Sequence, residues 1–212
     1  EDSHKCCKSG HIHKGNPTGT FTTLAGIETY VAKNPNSNGK AVLYVTDALG
    51  YKFVNNQLLA DTYAEQAEVD VYMPDFLEGD AVPTSVLSGQ AFDFMPWLGQ
   101  HTREKCYPLV EAAAKELRET HGVTKLASVG FCWGAATAIM LGATDLVDAV
   151  VLHHPTLLEI PGDVEKLKKP ILFNCAETDS VFPDNVREQT QQFFANKPDQ
   201  VALFNLYPGT VH

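Results

Sequence analysis

"KLASVGFCWGAATAIML", Lys125 to Leu141, sets a cysteine between two glycines, after an apolar run and before a run of small residues. A buried strand needs no glycine at its end, and a buried helix needs no cysteine at its start. Gly130-Phe131-Cys132-Trp133-Gly134 makes sense where the chain turns sharply and holds a sulfur up to a ligand. Strand, glycine-flanked turn, then helix is the setting of a nucleophile elbow, whose usual form is G-x-S-x-G. The glycines leave room where strand and helix meet. The helix N-terminus favours a thiolate over the thiol, whose free pKa is about 8.5. A lone cysteine is more often a buried structural residue, but its place between strand and helix favours a functional one.

Outward from the elbow, strands and helices alternate. "GTFTTLAGIETYVAKNP" reads as an antiparallel hairpin at a sheet edge, turning at Ala25-Gly26. "KAVLYVTDALG" and "VDVYMPD" read as buried strands, with a helix at 56–67 between them, and Phe76 to Gly89 as a loop or lid. The spacing of Leu109, Ala112, Ala113, Glu116 and Leu117 predicts a helix from about Arg103 to Thr120. Strand 123–130, the helix after Cys132, strand "DAVVLHH", a short helix near 163–168, strand "PILFNCAE", helix 184–195 and strand "QVALFNLYPG" complete the order. Such alternation implies a mostly parallel sheet covered on both faces. Residues 1–17 read as an N-terminal arm and 18–212 as a single domain.

A chain of 212 residues can bury one full core. Its net charge of −10, with no basic cluster, argues against nucleic acid or an anionic membrane as partner. No apolar run approaches the roughly 20 residues that span a bilayer, and no signal peptide is visible. Five cysteines without disulfide-like spacing point to a reducing compartment, hence a cytoplasmic location. A monomer or homodimer is expected.

A thiol nucleophile in acyl transfer needs a base, and the base needs an orienting acid. On strand ends of such a sheet the order is nucleophile, acid, histidine. Asp179 follows the strand "ILFNCAE", and His212 follows "VALFNLYPGTV". Glu177 and Asp184 compete for the acid role. Asp179 also suits a turn or helix cap, and His212 a solvated terminal residue. Three matches in order outweigh the separate alternatives.

At this point "VGFCWGAATA", "FNCAETDSVFP" and "LYPGTVH" are similar to three signature segments of the dienelactone hydrolase family of α/β-hydrolases. "VTDALGYKFVNNQLLADTYAEQ" and "VYMPDFLEGD" resemble its segments after the third and fourth strands. "FMPWLGQHTREK" resembles the lid-and-helix segment of eukaryotic, fungal-type members. The likeness runs from about Thr20 to His212, and the cysteine elbow is its most specific part. It implies an α/β-hydrolase fold and a Cys132–Asp179–His212 triad that cleaves a small ester or lactone without metal or organic cofactor. It also implies an oxyanion hole from the backbone N–H groups of Trp133 and Ala48, each worth about 3–4 kcal/mol in comparable enzymes. Asp47 occupies the place of an acidic residue that bonds the resting cysteine in bacterial members; a loop residue satisfying local N–H groups is the equal alternative. Relatives continue past His212 with Gly-Phe, a basic residue and a closing helix, so further residues are expected there. Bacterial members hold a substrate carboxylate with arginines. "PDFLEGDAVPTSVLSGQ" has neither Arg nor Lys, so a neutral ester or lactone is the expected substrate.

Other candidates carry two readings each. "HKCCKSGHIH" has the composition of a metal site in His4, Cys6, Cys7, His11 and His13, but its spacing fits no zinc pattern, and a surface arm is favoured. His153 and His154 end a strand on the catalytic edge; His154 either lines the pocket or is satisfied by a backbone carbonyl. Phe94 and Trp97 are pocket wall or core. Cys106 and Cys175 read as buried and inert. The second functional reading is a non-catalytic member that binds a ligand or senses oxidation through Cys132.

Overall fold

A computed structural model describes residues 10–212. β1 (Thr20–Leu24) and β2 (Ile27–Ala32) form the expected edge hairpin. Leu24 pairs with Ile27, and Ala25 and Gly26 take φ of 51° and 77°, the positive values of a type I′ turn. β3 (Lys40–Val45), β4 (Asp70–Pro74), β5 (Lys125–Phe131), β6 (Ala149–His153), β7 (Ile171–Thr178) and β8 (Ala202–Val211) extend it. Together they make one sheet in the order β1-β2-β4-β3-β5-β6-β7-β8. β2 runs antiparallel to β4, and every pairing from β4 to β8 is parallel. The C-terminal ends of β3, β5, β6, β7 and β8 therefore open on one edge, where such sheets place their ligands.

Among the described residues, six α-helices accompany the sheet: α1 (Val54–Ala67), α2 (Phe94–Gln100), α3 (Arg103–Glu119), α4 (Ala135–Leu141), α5 (Gly162–Lys166) and α6 (Asp184–Ala195). Successive strand residues feed opposite layers. Leu43, Val45 and Leu126 join one core cluster, and Tyr44, Val129 and Phe131 join another. Burial on both faces is why the parallel strands read as continuous apolar runs. Each such side chain stabilises the fold by about 1.5–3 kcal/mol.

Three expectations need correction. The buried face of α3 is Cys106, Val110, Ala113, Ala114 and Leu117, whereas Ala112 is exposed. Glu116 is only half-buried, and its carboxylate accepts the Ala25 N–H at 2.8 Å. Two overlapping stripes share Ala113 and Leu117; the buried one adds Cys106, Val110 and Ala114, while the other carries the charged Glu116 and leaves Leu109 half-buried. α2 is a separate helix that the sequence reading missed, because Pro96 and Gly99 are poor helix formers. Pro96 falls in the first turn, where no N–H is required, and Asp93 caps the helix by accepting from Met95 N–H at 3.3 Å. The segment from Phe76 to Gly89 is no open lid, since Phe76, Leu77, Val82 and Val86 are buried.

A Cβ added at Gly134 would lie 2.4 Å from the Val45 carbonyl oxygen and 2.5 Å from that of Thr46, whereas one added at Gly26 meets nothing within 4 Å. Gly134→Ala should therefore cost roughly 3 kcal/mol or more, because backbone must move. Gly26→Ala should cost only the about 1–2 kcal/mol of left-handed strain. Urea denaturation of the two variants checks the contrast; equal losses would contradict it.

Candidate active site

β5 ends at Phe131, and Cys132 takes φ of 47° before a 3-10 turn, Cys132–Gly134, leads into α4. Packing on both sides holds this left-handed backbone. A Cβ at Gly130 would sit 2.7 Å from Ala135 Cα and from the Gly134 carbonyl oxygen. One glycine thus lets strand meet helix, and the other lets the β3 loop cross the elbow. α4 has only seven residues, so its dipole is short, and an imidazole stands beside the sulfur.

That imidazole is His212. Its Nε2 lies 3.2 Å from Cys132 Sγ, and its Nδ1 lies 2.9 Å from Asp179 Oδ2. The two side chains are 1% and 3% exposed. An ionised carboxylate can only accept, so Nδ1 carries the proton and Nε2 is left to face the sulfur. Burial pushes the Asp179 carboxyl up, but the His212 hydrogen bond and charge, with the Phe182 and Val181 N–H groups, outweigh it and hold the group below its usual range. Of the competing carboxylates, Glu177 is exposed and accepts Gly209 N–H, while Asp184 pairs with Arg187. Burial pushes the Cys106 and Cys175 thiols up to about 11.

The remaining candidates divide. A 60 Å³ chamber at the sulfur is walled by Phe94, Leu98, Trp133, Leu157 and Val181, with His212 at its rim. Trp97 does not line it. Its indole N–H donates to the Asp80 carbonyl at 2.7 Å, its ring stacks on His101, and it backs Trp133 with centroids 6.2 Å apart. Leu157 and Val181, which sequence reasoning did not single out, lie on loops; the Thr156 N–H donates to the Cys132 carbonyl at 3.2 Å and ties the first of these loops to the elbow. Asp47 accepts from Leu49 N–H at 2.9 Å and Asn56 Nδ2 at 3.0 Å, so these bonds are those of the local loop. It lines a separate 520 Å³ groove with Phe131, His154, His13 and Lys14. The two last come from the arm, which Asn55 holds through His13 N–H and the His11 carbonyl. Lys14 is a cation that the sequence reading overlooked. His4, Cys6 and Cys7 lie outside the described residues.

His154 follows β6, with φ of 33°. Its ring meets His212 edge-on with centroids 4.8 Å apart, and its Nδ1 is buried with no hydrogen-bond partner among the described residues. One ligand atom from each of Cys132, His154 and His212 lies within 4.8 Å of the others, the group of metal-ligand geometry found among the described residues. His153 stacks on Phe131 and faces Tyr63 Oη at 3.2 Å.

Burial lowers His153 to about 4, and burial aided by His212 and His153 lowers His154 to about 3. The unfolded chain binds these protons below about 6.5, so stability is full above that pH and is lost as pH falls toward 4. The urea midpoint should fall across pH 6.5 to 4, and His153→Gln should flatten that profile. A flat wild-type profile would contradict the assignment.

A sequence profile of the Dienelactone hydrolase family matches residues 27–212. The chain is 30% identical to Hydrolase pyvD of Aspergillus violaceofuscus, over 95% of this chain and 82% of that protein. It is 31% identical to the carboxymethylenebutenolidase homolog of Mus musculus, over 88% and 75%. A putative dienelactone hydrolase from Klebsiella pneumoniae superposes with a TM-score of 0.72 at 18% identity, over 92% of this chain and 87% of that one, a likeness of fold. The chain belongs to the dienelactone hydrolase family, hydrolases with the α/β-hydrolase fold.

Proposed function

We propose that the protein hydrolyses a small, uncharged carboxylic ester or lactone through a thioester on Cys132. The observation that carries this reading is the unbroken line of contacts from Asp179 through His212 to Cys132 Sγ, at 2.9 and 3.2 Å. The sulfur attacks the acyl carbon while His212 Nε2 takes the thiol proton. That proton passes to the leaving alkoxide as the acyl C–O bond breaks. Water then attacks the thioester, giving a proton to His212, which returns it to the departing sulfur. Asp179 fixes the tautomer and offsets the imidazolium charge. The N–H groups of Trp133 and Ala48 are assigned to the oxyanion, the first because it follows the nucleophile, the second because the β3 loop crosses Gly134.

The substrate class follows from the chamber. Its 60 Å³ holds only a few waters at about 10–15 Å³ each, which suits a short acyl chain. No Lys or Arg lines it. Arg103, which donates to the carbonyl of the chamber residue Leu157, is bound twice by Asp163, at 2.8 and 2.5 Å. A carboxylate on the acyl chain would lose its hydration without a partner, a cost of several kcal/mol.

Two measurements test the reading. Iodoacetamide at pH 8 should alkylate Cys132 at least about 100-fold faster than Cys106 or Cys175, whose thiolate fractions are about one in a thousand at pKa 11, and hydrolysis should stop with it. Asp179→Asn should lose about 10⁴-fold in kcat with the fold intact, and Glu177→Gln little. Activity surviving full labelling of Cys132, or a near-wild-type Asp179→Asn, sinks the triad. With a constant p-nitrophenyl leaving group, kcat/KM should fall at least about tenfold from acetate to octanoate, an overpacking cost above about 1.4 kcal/mol. Acetate should also exceed hemisuccinate. A preference for the carboxylate-bearing ester would assign a cation to the chamber and overturn the neutral-substrate reading.

A further inference from the structure

We propose that Cys132, His154 and His212 form a zinc site whose occupation reversibly silences the enzyme. The inference rests on Cys132 being the nucleophile. Thiolate sulfur and two imidazole nitrogens are a donor set suited to Zn²⁺, and three protein ligands leave a fourth position for water. The donor atoms already lie within 4.8 Å of one another. Tetrahedral bonds of about 2.3 Å to sulfur and 2.0–2.1 Å to nitrogen set donors roughly 3.3–3.6 Å apart. The ion therefore draws the widest pair together by about 1.2 Å and spreads Sγ and Nε2, now 3.2 Å apart, slightly.

Two features favour this beyond proximity. His212 hands its Nδ1–H to Asp179 at 2.9 Å, the carboxylate–histidine arrangement that orients metal-bound imidazoles and makes them more basic. His154 is the independent one. Hydrolysis through the triad gives it no task, yet it carries a buried ring nitrogen with no partner and a left-handed backbone on the strand end between those of Cys132 and Asp179. An unsatisfied buried polar atom is costly, and a ligand bond to it removes that penalty. On binding, the Cys132 S–H bond breaks, the Zn–S bond forms, and the proton leaves to solvent. Coordination lowers the nucleophilicity of the sulfur and occupies His212 Nε2 as well, so neither nucleophile nor base is free to act.

The test uses the full chain, stripped with chelator and titrated with ZnCl₂. Cys132 alkylation, resolved by mass spectrometry, and p-nitrophenyl acetate hydrolysis should be blocked in parallel at one zinc concentration. His154→Asn, which keeps a residue tolerant of positive φ, should need more than the about 10–100-fold extra zinc that loss of an outer-shell group demands. Zinc X-ray absorption, taken as wild type minus Cys132→Ala to remove any arm-bound metal, should show one sulfur and two imidazole nitrogens. That measurement decides even where His154→Asn fails to fold. Protection of His154→Asn at the wild-type concentration, or a single imidazole in the difference shell, overturns the site. Hydrolysis lost on chelation and restored by zinc overturns the inhibitory role. Alkylation that leaves the stripped enzyme active fails the nucleophile reading separately.

Discussion

The carbonyls of Val45 and Thr46 press so closely on Gly134 that no side chain fits between them, and the rest of the site hangs from that contact. It brings the end of β3 over the start of α4, two elements from opposite sides of the elbow. The β3 loop is then braced from beyond. Asn56 donates to Asp47 and to the Gly50 carbonyl, and it faces the Tyr44 hydroxyl at 3.2 Å. The first turn of α1, the loop and the elbow are thus tied together by direct contacts. A site built this way keeps its donors within tenths of an ångström, as preorganised chemistry requires.

Electrostatics follow from the same closure. Asp179 and His212 are nearly sealed from water, where an unpaired charge is costly. Two amides and an imidazole share the carboxylate, so the cost is met locally. A second buried pair does structural duty nearby. Arg103 holds Asp163 with two bonds and donates a third to the Leu157 carbonyl at 3.1 Å, fixing the segment that walls the acyl chamber. A guanidinium so committed is not available to a substrate.

The elbow was legible because three local signals coincide between Lys125 and Leu141: an apolar strand, flanking glycines and a small-residue helix. The hairpin was legible for the same reason, since Ala25-Gly26 needs no distant partner. Which carboxylate meets His212 was not settled by chain order alone. It depends on the irregular register at Ala176 and Thr178, which lets Glu177 face Gly209 while Asp179 turns inward. Phe94 and Trp97 were ambiguous because hydrophobicity cannot tell first layer from second, and Phe94 lines the chamber. Trp133 lines it as well, and Trp97 stands behind Trp133. The face of α3 was misread by one stripe, since alanines on both stripes are equally small. Leu157 and Val181 carried no signal, because a loop's path is set by its own hydrogen bonds and not by periodicity.

The positive φ at Cys132 restricts which atoms can serve at that point. Branching at Cβ is strongly disfavoured in the left-handed region, which removes threonine. A longer side chain would place its reactive atom elsewhere, and the 3.2 Å contact that Cys132 Sγ makes with His212 would have to be rebuilt. Only serine and cysteine put a nucleophilic atom one bond beyond Cβ without branching. An oxygen-for-sulfur exchange at that atom therefore asks nothing new of this backbone, whereas aspartate, which the left-handed region also tolerates, would set its oxygen one bond further out and require the histidine to stand back.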